Sequence, residues 1–134
     1  AIGAQSIVVY IDIIFKDLNY SIYNYIDKKP IKLDLKEYVK TIQKIGIGEI
    51  LITLVDLDGT MKGSNVDIIK FLQDEINVPI IYKGGSSSVQ DIKKVISADV
   101  NAFTSSTIFI MKKPNGGIVF NYPSEKDKSE YGIL

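Results

Sequence analysis

The sequence contains no cysteine and no histidine. The first absence excludes disulfides and thiolate metal sites. The second removes the commonest general base and the commonest soft-metal ligand, so acid–base chemistry falls to Asp, Glu, Lys or Tyr. Neither sign of charge is in excess: Lys plus Arg and Asp plus Glu both number 16 over 134 residues. That balance gives no basic footprint for nucleic acid and no basic face for a membrane. No apolar run reaches the roughly 18 residues a membrane span needs. The opening AIGAQSIVVYID has neither the basic flank nor the cleavage pattern of a signal peptide, so a cytoplasmic location is the expectation. The length suits one domain, 1–134, with one core.

What is present is an alternation of short apolar runs and helical patterns. The central stretch is Glu49 to Gly63, EILITLVDLDGTMKG. Its run Ile50 to Val55 reads as a strand buried on both faces, as in a parallel sheet. Asp56, Asp58, Gly59 and Thr60 follow, at the rim where α/β folds carry their sites. Asp58-Gly59 also suits an ordinary tight turn. Upstream, Ser6 to Ile11 reads as a first buried strand that stops at Asp12. Residues 13–33 alternate loosely, with turn signals near Asp17 and Asp27, and predict an antiparallel hairpin excursion. Within it Tyr20, Tyr23 and Tyr25 are expected to pack the hairpin against the body, with a binding surface as the alternative reading. Asp34 to Ile45 predicts a helix with Asp34 as cap, Leu35, Tyr38, Val39, Ile42 and Ile45 as its apolar stripe, and Gly46 as its stop.

Asn65 to Glu75 predicts a second helix, capped by Ser64 or Asn65. Val78 to Tyr82 reads as a strand that runs into Lys83-Gly84-Gly85-Ser86-Ser87-Ser88. Two glycines, three hydroxyls, a lysine and the start of the helix Val89 to Ser97 make a plausible phosphate cradle. The same residues also make an ordinary strand-to-helix turn. Val100 to Phe103 is a short strand ending in Thr104-Ser105-Ser106-Thr107, either a second half-cradle or a helix cap. A last strand is expected at Ile118 to Tyr122, then a solvated charged tail, within a C-terminal region of about 118–134. Four βα units fill about 110 residues, half of the roughly 250 of a (β/α)8 barrel. No dinucleotide-type glycine fingerprint follows any strand, and four consecutive strand ends carry polar residues on one rim.

GAQSIVVYID, GIGEILITLVDLDGTMKGSN, VPIIYKGGSSSVQDIKK and VNAFTSSTIF, in this order and spacing, resemble the C-terminal half of the cyclase subunit of imidazole glycerol phosphate synthase. The resemblance covers about residues 3 to 111. It implies the (β/α)8 TIM-barrel family and a C-terminal half-barrel of four βα units, completed by dimerisation or by an N-terminal half. It implies a cyclase-type subunit that takes ammonia from a partner glutaminase and acts on a phosphorylated small molecule, with no cofactor and no metal. Asp12 then matches a catalytic general acid/base. Thr53, Asp56, Asp58 and Gly59 match substrate-binding positions, and Gly84, Gly85, Ser105 and Ser106 match the phosphate cradle. Glu49 matches a charged residue of the ammonia passage at the opposite rim, with Gln5 on the side where the glutaminase docks. The tail GGIVFNYPS resembles cyclase-like proteins of surface-polysaccharide clusters, thought to make acetamidino sugars. Lys83 points the same way, because the histidine-pathway cyclase usually has Ser before the glycine pair. The family's first catalytic carboxylate and second phosphate site have no counterpart in this chain. A non-catalytic, glutaminase-activating domain and a sugar-phosphate isomerase half therefore stand as alternatives.

Overall fold

The computed structural model describes residues 3–110, 120, 122 and 124–131. Six strands form its sheet: β1 (Val8–Lys16), β2 (Asn19–Asn24), β3 (Lys29–Pro30), β4 (Glu49–Leu54), β5 (Ile80–Lys83) and β6 (Ala102–Thr104). Their order is β3-β2-β1-β4-β5-β6. β1, β4, β5 and β6 are parallel, and β2 and β3 extend the far side of β1 as an antiparallel flap. The helices α1 (Leu35–Ile45), α2 (Asp67–Leu72) and α3 (Val89–Ile96) connect the parallel strands in turn. Each parallel strand lies beside its predecessor, always advancing the same way. Right-handed crossovers in such a sheet put every helix on one face. This is the winding of a barrel wall, not of a doubly wound sheet.

The two faces separate by strand parity. Ile11, Ile13, Ile50, Ile52, Leu54, Ile80 and Tyr82 are buried in one cluster with Leu35, Val39 and Ile42 of α1, Ile68, Ile69 and Leu72 of α2, and Val95 of α3. Each such aliphatic side chain contributes about 1.5–3 kcal/mol relative to exposure. The opposite parity faces away from the helices. There Val8 and Tyr10 are both 49% exposed, as on the inner surface of an unclosed barrel.

Several elements differ from their sequence expectations. β1 does not stop before Asp12. It pairs with β4 up to Ile13↔Leu54, and β2 then takes over as partner from Ile13↔Ile22 to Lys16↔Asn19. A fresh ladder lets the strand continue, so Asp12 lies inside it. In α1, Asp34 Oδ1 accepts the Glu37 N–H at 2.9 Å, but the Glu37 carboxylate pairs with Lys40 rather than closing a reciprocal cap. Ile45, expected in the apolar stripe, is 79% exposed, because the helix ends at once at Gly46, where φ is +94°. α2 starts only at Asp67, whose N–H is accepted by Asn65 Oδ1, and its last turn is a 3-10 helix at Gln73–Glu75.

Tyr20 packs as expected: its ring lies 4.7 Å from Phe15 and 5.4 Å from Phe71 of α2, fastening the hairpin to the helical layer. The charged tail is solvated as expected, with Glu125, Lys126 and Ser129 exposed, and it folds as the short helix Glu125–Tyr131. The strand expected at 118–122 falls outside the described residues, except for Phe120 and Tyr122, which are exposed and not in a strand.

Candidate functional site

Strand register assembles the site. Asp12 lies opposite Thr53, Thr53 opposite Lys83 and Lys83 opposite Thr104. Parity sends all four to the open face, so four adjacent parallel strands contribute one polar row near their C-terminal ends. The row beneath is Tyr10, Leu51, Ile81 and Ala102 by the same register. Tyr10 reaches up from it. Its hydroxyl accepts from Thr53 Oγ1 at 2.7 Å and from Lys83 Nζ at 3.3 Å. Lys83 Nζ also meets Asp58 Oδ2 at 2.8 Å. The Asp58 hydrogen bond above all, opposed by burial and aided by Tyr10, raises Lys83 beyond its ordinary value. It is an ammonium at neutral pH, not an amine nucleophile.

Asp12 makes no hydrogen bond or salt bridge among the described residues. Burial raises its pKa, the Lys83 charge opposes that, and the Asp58 charge adds to it. The raised Asp12 carboxyl and the salt-bridged Asp58 carboxylate therefore flank one ammonium. Tyr25, in the turn after β2, also feels this cluster: burial first, then the charges of Asp12, Tyr10 and Asp58, raise its hydroxyl. Tyr10 was not singled out in the sequence, and Tyr25 only within a tyrosine cluster that offered a binding surface as the alternative to packing. Tyr10 was legible, since it stands two residues before Asp12 on a strand. The nearness of Tyr25 to Asp12 was not, because only the fold of the flap turns it to this face. Lys83, read as part of the glycine-loop cradle, belongs instead to the polar row.

The remaining expected residues lie at three places. Asp56 accepts the Phe15 N–H at 3.5 Å, at the start of the hairpin, and is not joined to the Asp12–Lys83 group. Asp58 and Gly59 share the turn after β4, where the Asp58 N–H is bonded to the Leu54 carbonyl at 2.9 Å. Gly84 and Gly85 follow β5 directly, and Ser105 and Ser106 follow β6. Thr107 Oγ1 ties the two loops by donating to the Ser86 carbonyl at 2.6 Å. Buried Tyr82, its hydroxyl pushed up to about 12 by burial, donates to the Gly84 carbonyl and accepts the Asn65 N–H. The backbone N–H groups of Gly85, Ser105 and Ser106 have no acceptor among the described residues. The Ser105 hydroxyl is a helix cap, accepting the Ile108 N–H at 3.3 Å.

The serines of the β5 loop are committed elsewhere. Asp91 Oδ2 accepts the N–H and hydroxyl of both Ser87 and Ser88, and its Oδ1 accepts the Ser64 N–H. Burial pushes the Asp91 carboxyl up, but these hydrogen bonds together outweigh it and its pKa falls below the usual value. The expected donation by Ser87 and Ser88 to an external anion is thus replaced by an internal carboxylate closing a capping box on α3.

At the opposite rim, Glu49 starts β4 on the open face, opposite Val8. It lies four residues from Thr53 along the strand, roughly 13 Å. Gly48 beside it is in tight contact with Gln5: a Cβ there would lie 2.5 Å from the Gln5 carbonyl oxygen. Among the described residues no group of three or more acidic side chains could hold a metal ion, and no helix is long and apolar enough to cross a membrane.

Singly wound βα units with a polar row at their strand ends define the wall of a (β/α) barrel, of the class that binds substrates at that rim. The family described as "Histidine biosynthesis protein" matches residues 1–114. The chain belongs to that family. It is 32% identical over 108 residues to the imidazole glycerol phosphate synthase subunit HisF of Pyrococcus furiosus, covering 81% of this chain and 43% of that protein. It is 31% identical over 133 residues to a provisionally named imidazole glycerol phosphate synthase subunit of Vibrio vulnificus, covering 96% of this chain and 51% of the relative. A similarly provisional relative from Leptospira borgpetersenii is 33% identical over 132 residues, with 95% and 51% covered. The chain thus spans about half the length of the curated relatives it matches.

Proposed function

We propose that this chain is a cyclase-type subunit of a glutamine amidotransferase system, which uses ammonia from a partner glutaminase on a phosphorylated small molecule. The observation that carries the reading is the row Asp12–Thr53–Lys83–Thr104 across four parallel strands. It stands beside loops whose Gly85, Ser105 and Ser106 N–H groups have no acceptor among the described residues. Such N–H groups would hold a phosphate at one end of the substrate. Asp12 would then exchange protons at its middle, and Thr53, Asp58 and Gly59 would position it. Ammonia would enter at the Glu49 rim and cross the open face to Asp12. A cytoplasmic setting and a role in surface-sugar amidation, suggested by the tail and by Lys83, belong to the same proposal, as does the absence of a cofactor.

Among the described residues the open face, the side of Val8–Asp12 away from β4 and the outer edge of β6 lack partners and need further strands. A longer chain of which this is a part would supply them; for this chain on its own we propose a second copy, closing the barrel two-fold and bringing a second Asp12 and a second cradle. The test is glutamine hydrolysis by an imidazole glycerol phosphate synthase glutaminase subunit, with and without the chain and a phosphorylated substrate. Stimulation with consumption of the substrate supports the cyclase reading. Stimulation without consumption favours an activating domain. No stimulation rejects both.

A further inference from the structure

The interior face carries two hydrogen-bond donors that the proposed phosphate cradle does not use. Lys83 Nζ spends one N–H on Asp58 and one on Tyr10. Its third has no acceptor among the described residues. The Tyr10 hydroxyl accepts from both Thr53 and Lys83, so its own hydrogen is likewise uncommitted. The two donor atoms are 3.3 Å apart, close enough to converge on one oxygen. Lys83 is held in two ways, by Asp58 and by the Tyr10 hydroxyl. Donors fixed before reaction need no reorganisation when charge develops, and there they act most strongly. Asp12 stands in the same row, with Thr53 between it and Lys83.

We infer that Lys83 and Tyr10 form an oxyanion site for a carbonyl-derived oxygen of the substrate, separate from the phosphate cradle and facing Asp12. This rests on the proposed function and specifies its substrate class: a phosphorylated molecule with a carbonyl within a few bonds of the reacting carbon. In the step it serves, the Asp12 carboxylate takes a proton from the carbon next to the carbonyl. The C–H electron pair becomes a C=C bond, and the carbonyl π pair moves onto oxygen. That oxygen, now negative, accepts from Lys83 N–H and Tyr10 O–H. Return of the proton from Asp12 to the carbon or to the oxygen closes the step with no other reactant. Lys83 thereby supplies charge without forming a covalent bond.

The test is equilibrium binding of two probes to the full chain by calorimetry. Inorganic phosphate reports the cradle alone. 5-Phosphoribonate carries a phosphate and a carboxylate whose charged oxygen stands in for the oxyanion. The wild-type protein is expected to prefer phosphoribonate by about tenfold, the value of one charge-assisted hydrogen bond. Lys83→Met and the milder Tyr10→Phe are each expected to erase most of that preference and leave phosphate affinity within about twofold. Retained preference in both variants overturns the inference. So does an equal loss of both probes in Lys83→Met, which would make Lys83 part of the cradle. Wild-type binding of phosphate with no preference overturns the oxyanion site alone, whereas binding of neither probe overturns the phosphate reading and the site with it.

Discussion

The Gly63 N–H donates to the Gly85 carbonyl at 2.8 Å, and a Cβ on Gly85 would lie 2.2 Å from the Gly63 carbonyl oxygen. Both contacts are backbone to backbone, so nothing flexible can give way. Gly85 also holds φ at +74°, which a residue with a Cβ resists. Gly85→Ala is therefore expected to destabilise the chain by about 2–3 kcal/mol and to abolish phosphate binding as the loops after β4 and β5 part. Gly59 has φ of +76° but open space around its Cβ position, so Gly59→Ala should cost only about 1–2 kcal/mol. Urea unfolding of both variants checks the order, and equal losses would contradict it.

Asp12 links the site to pH. Its folded pKa is raised, chiefly by burial, against the opposing charge of Lys83. The folded state then binds this proton more tightly than the unfolded state. The associated stability is full below the unfolded value of about 3.9 and is lost as pH rises through the folded value. Asp12→Asn should thus match the wild type at pH 3 and exceed it in stability at pH 7. The gain should stay under about 1 kcal/mol because the side chain is only partly buried. Activity should be lost. In Lys83→Met the Asp12 titration should move further up, read by carboxyl carbon NMR. A downward move would show that Lys83 does not act on Asp12.

Asp91 has the opposite sign. Its folded pKa is lowered by hydrogen bonds from Ser87, Ser64 and Ser88 that outweigh burial. The stability it contributes is present above the unfolded value of about 3.9 and is lost as pH falls through the folded value. Asp91→Ala should cost about 2 kcal/mol through the broken cap and freed donors, with most of the deficit gone at pH 2. A pH-independent deficit would place the effect in packing instead.

Val8 tests closure of the barrel. It is 49% exposed on the open face of β1. Light scattering on a size-exclusion column is expected to give a dimer for the wild type. Val8→Lys should give a monomer with unchanged far-UV circular dichroism, because no helix among the described residues packs on that side. A wild-type monomer would reject pairing of two copies.

Much of the fold was legible because it is local. Leu35, Val39 and Ile42 mark one side of α1, Asp34 caps it, and Gly46 stops it, all within reach of neighbours in the chain. The apolar runs of β4 and β5 and the hairpin followed from composition and turn residues in the same way. Asp12, Asp58, Gly84 and Gly85 stood out because they follow such strands, whereas Thr53, inside its strand, came only from the family resemblance. Less legible were choices among partners. Ser87 and Ser88 offer the same donors to a phosphate and to Asp91, and sequence spacing does not decide between them. Lys83 is one residue from the glycine pair, yet strand parity turns it to the Asp12 row.

The sequence by itself determined the alternation of strands and helices, the positions of the caps, and the enrichment of polar residues at strand ends. These depend on periodicity and on hydrogen bonds within a few residues. Only the tertiary structure decided that β1 continues past Asp12 into the flap, and that Asp12, Thr53, Lys83 and Thr104 stand in one row with Tyr10 beneath. Register between strands brought together by crossovers is a long-range property. A shift of one residue would send every one of these side chains to the opposite face.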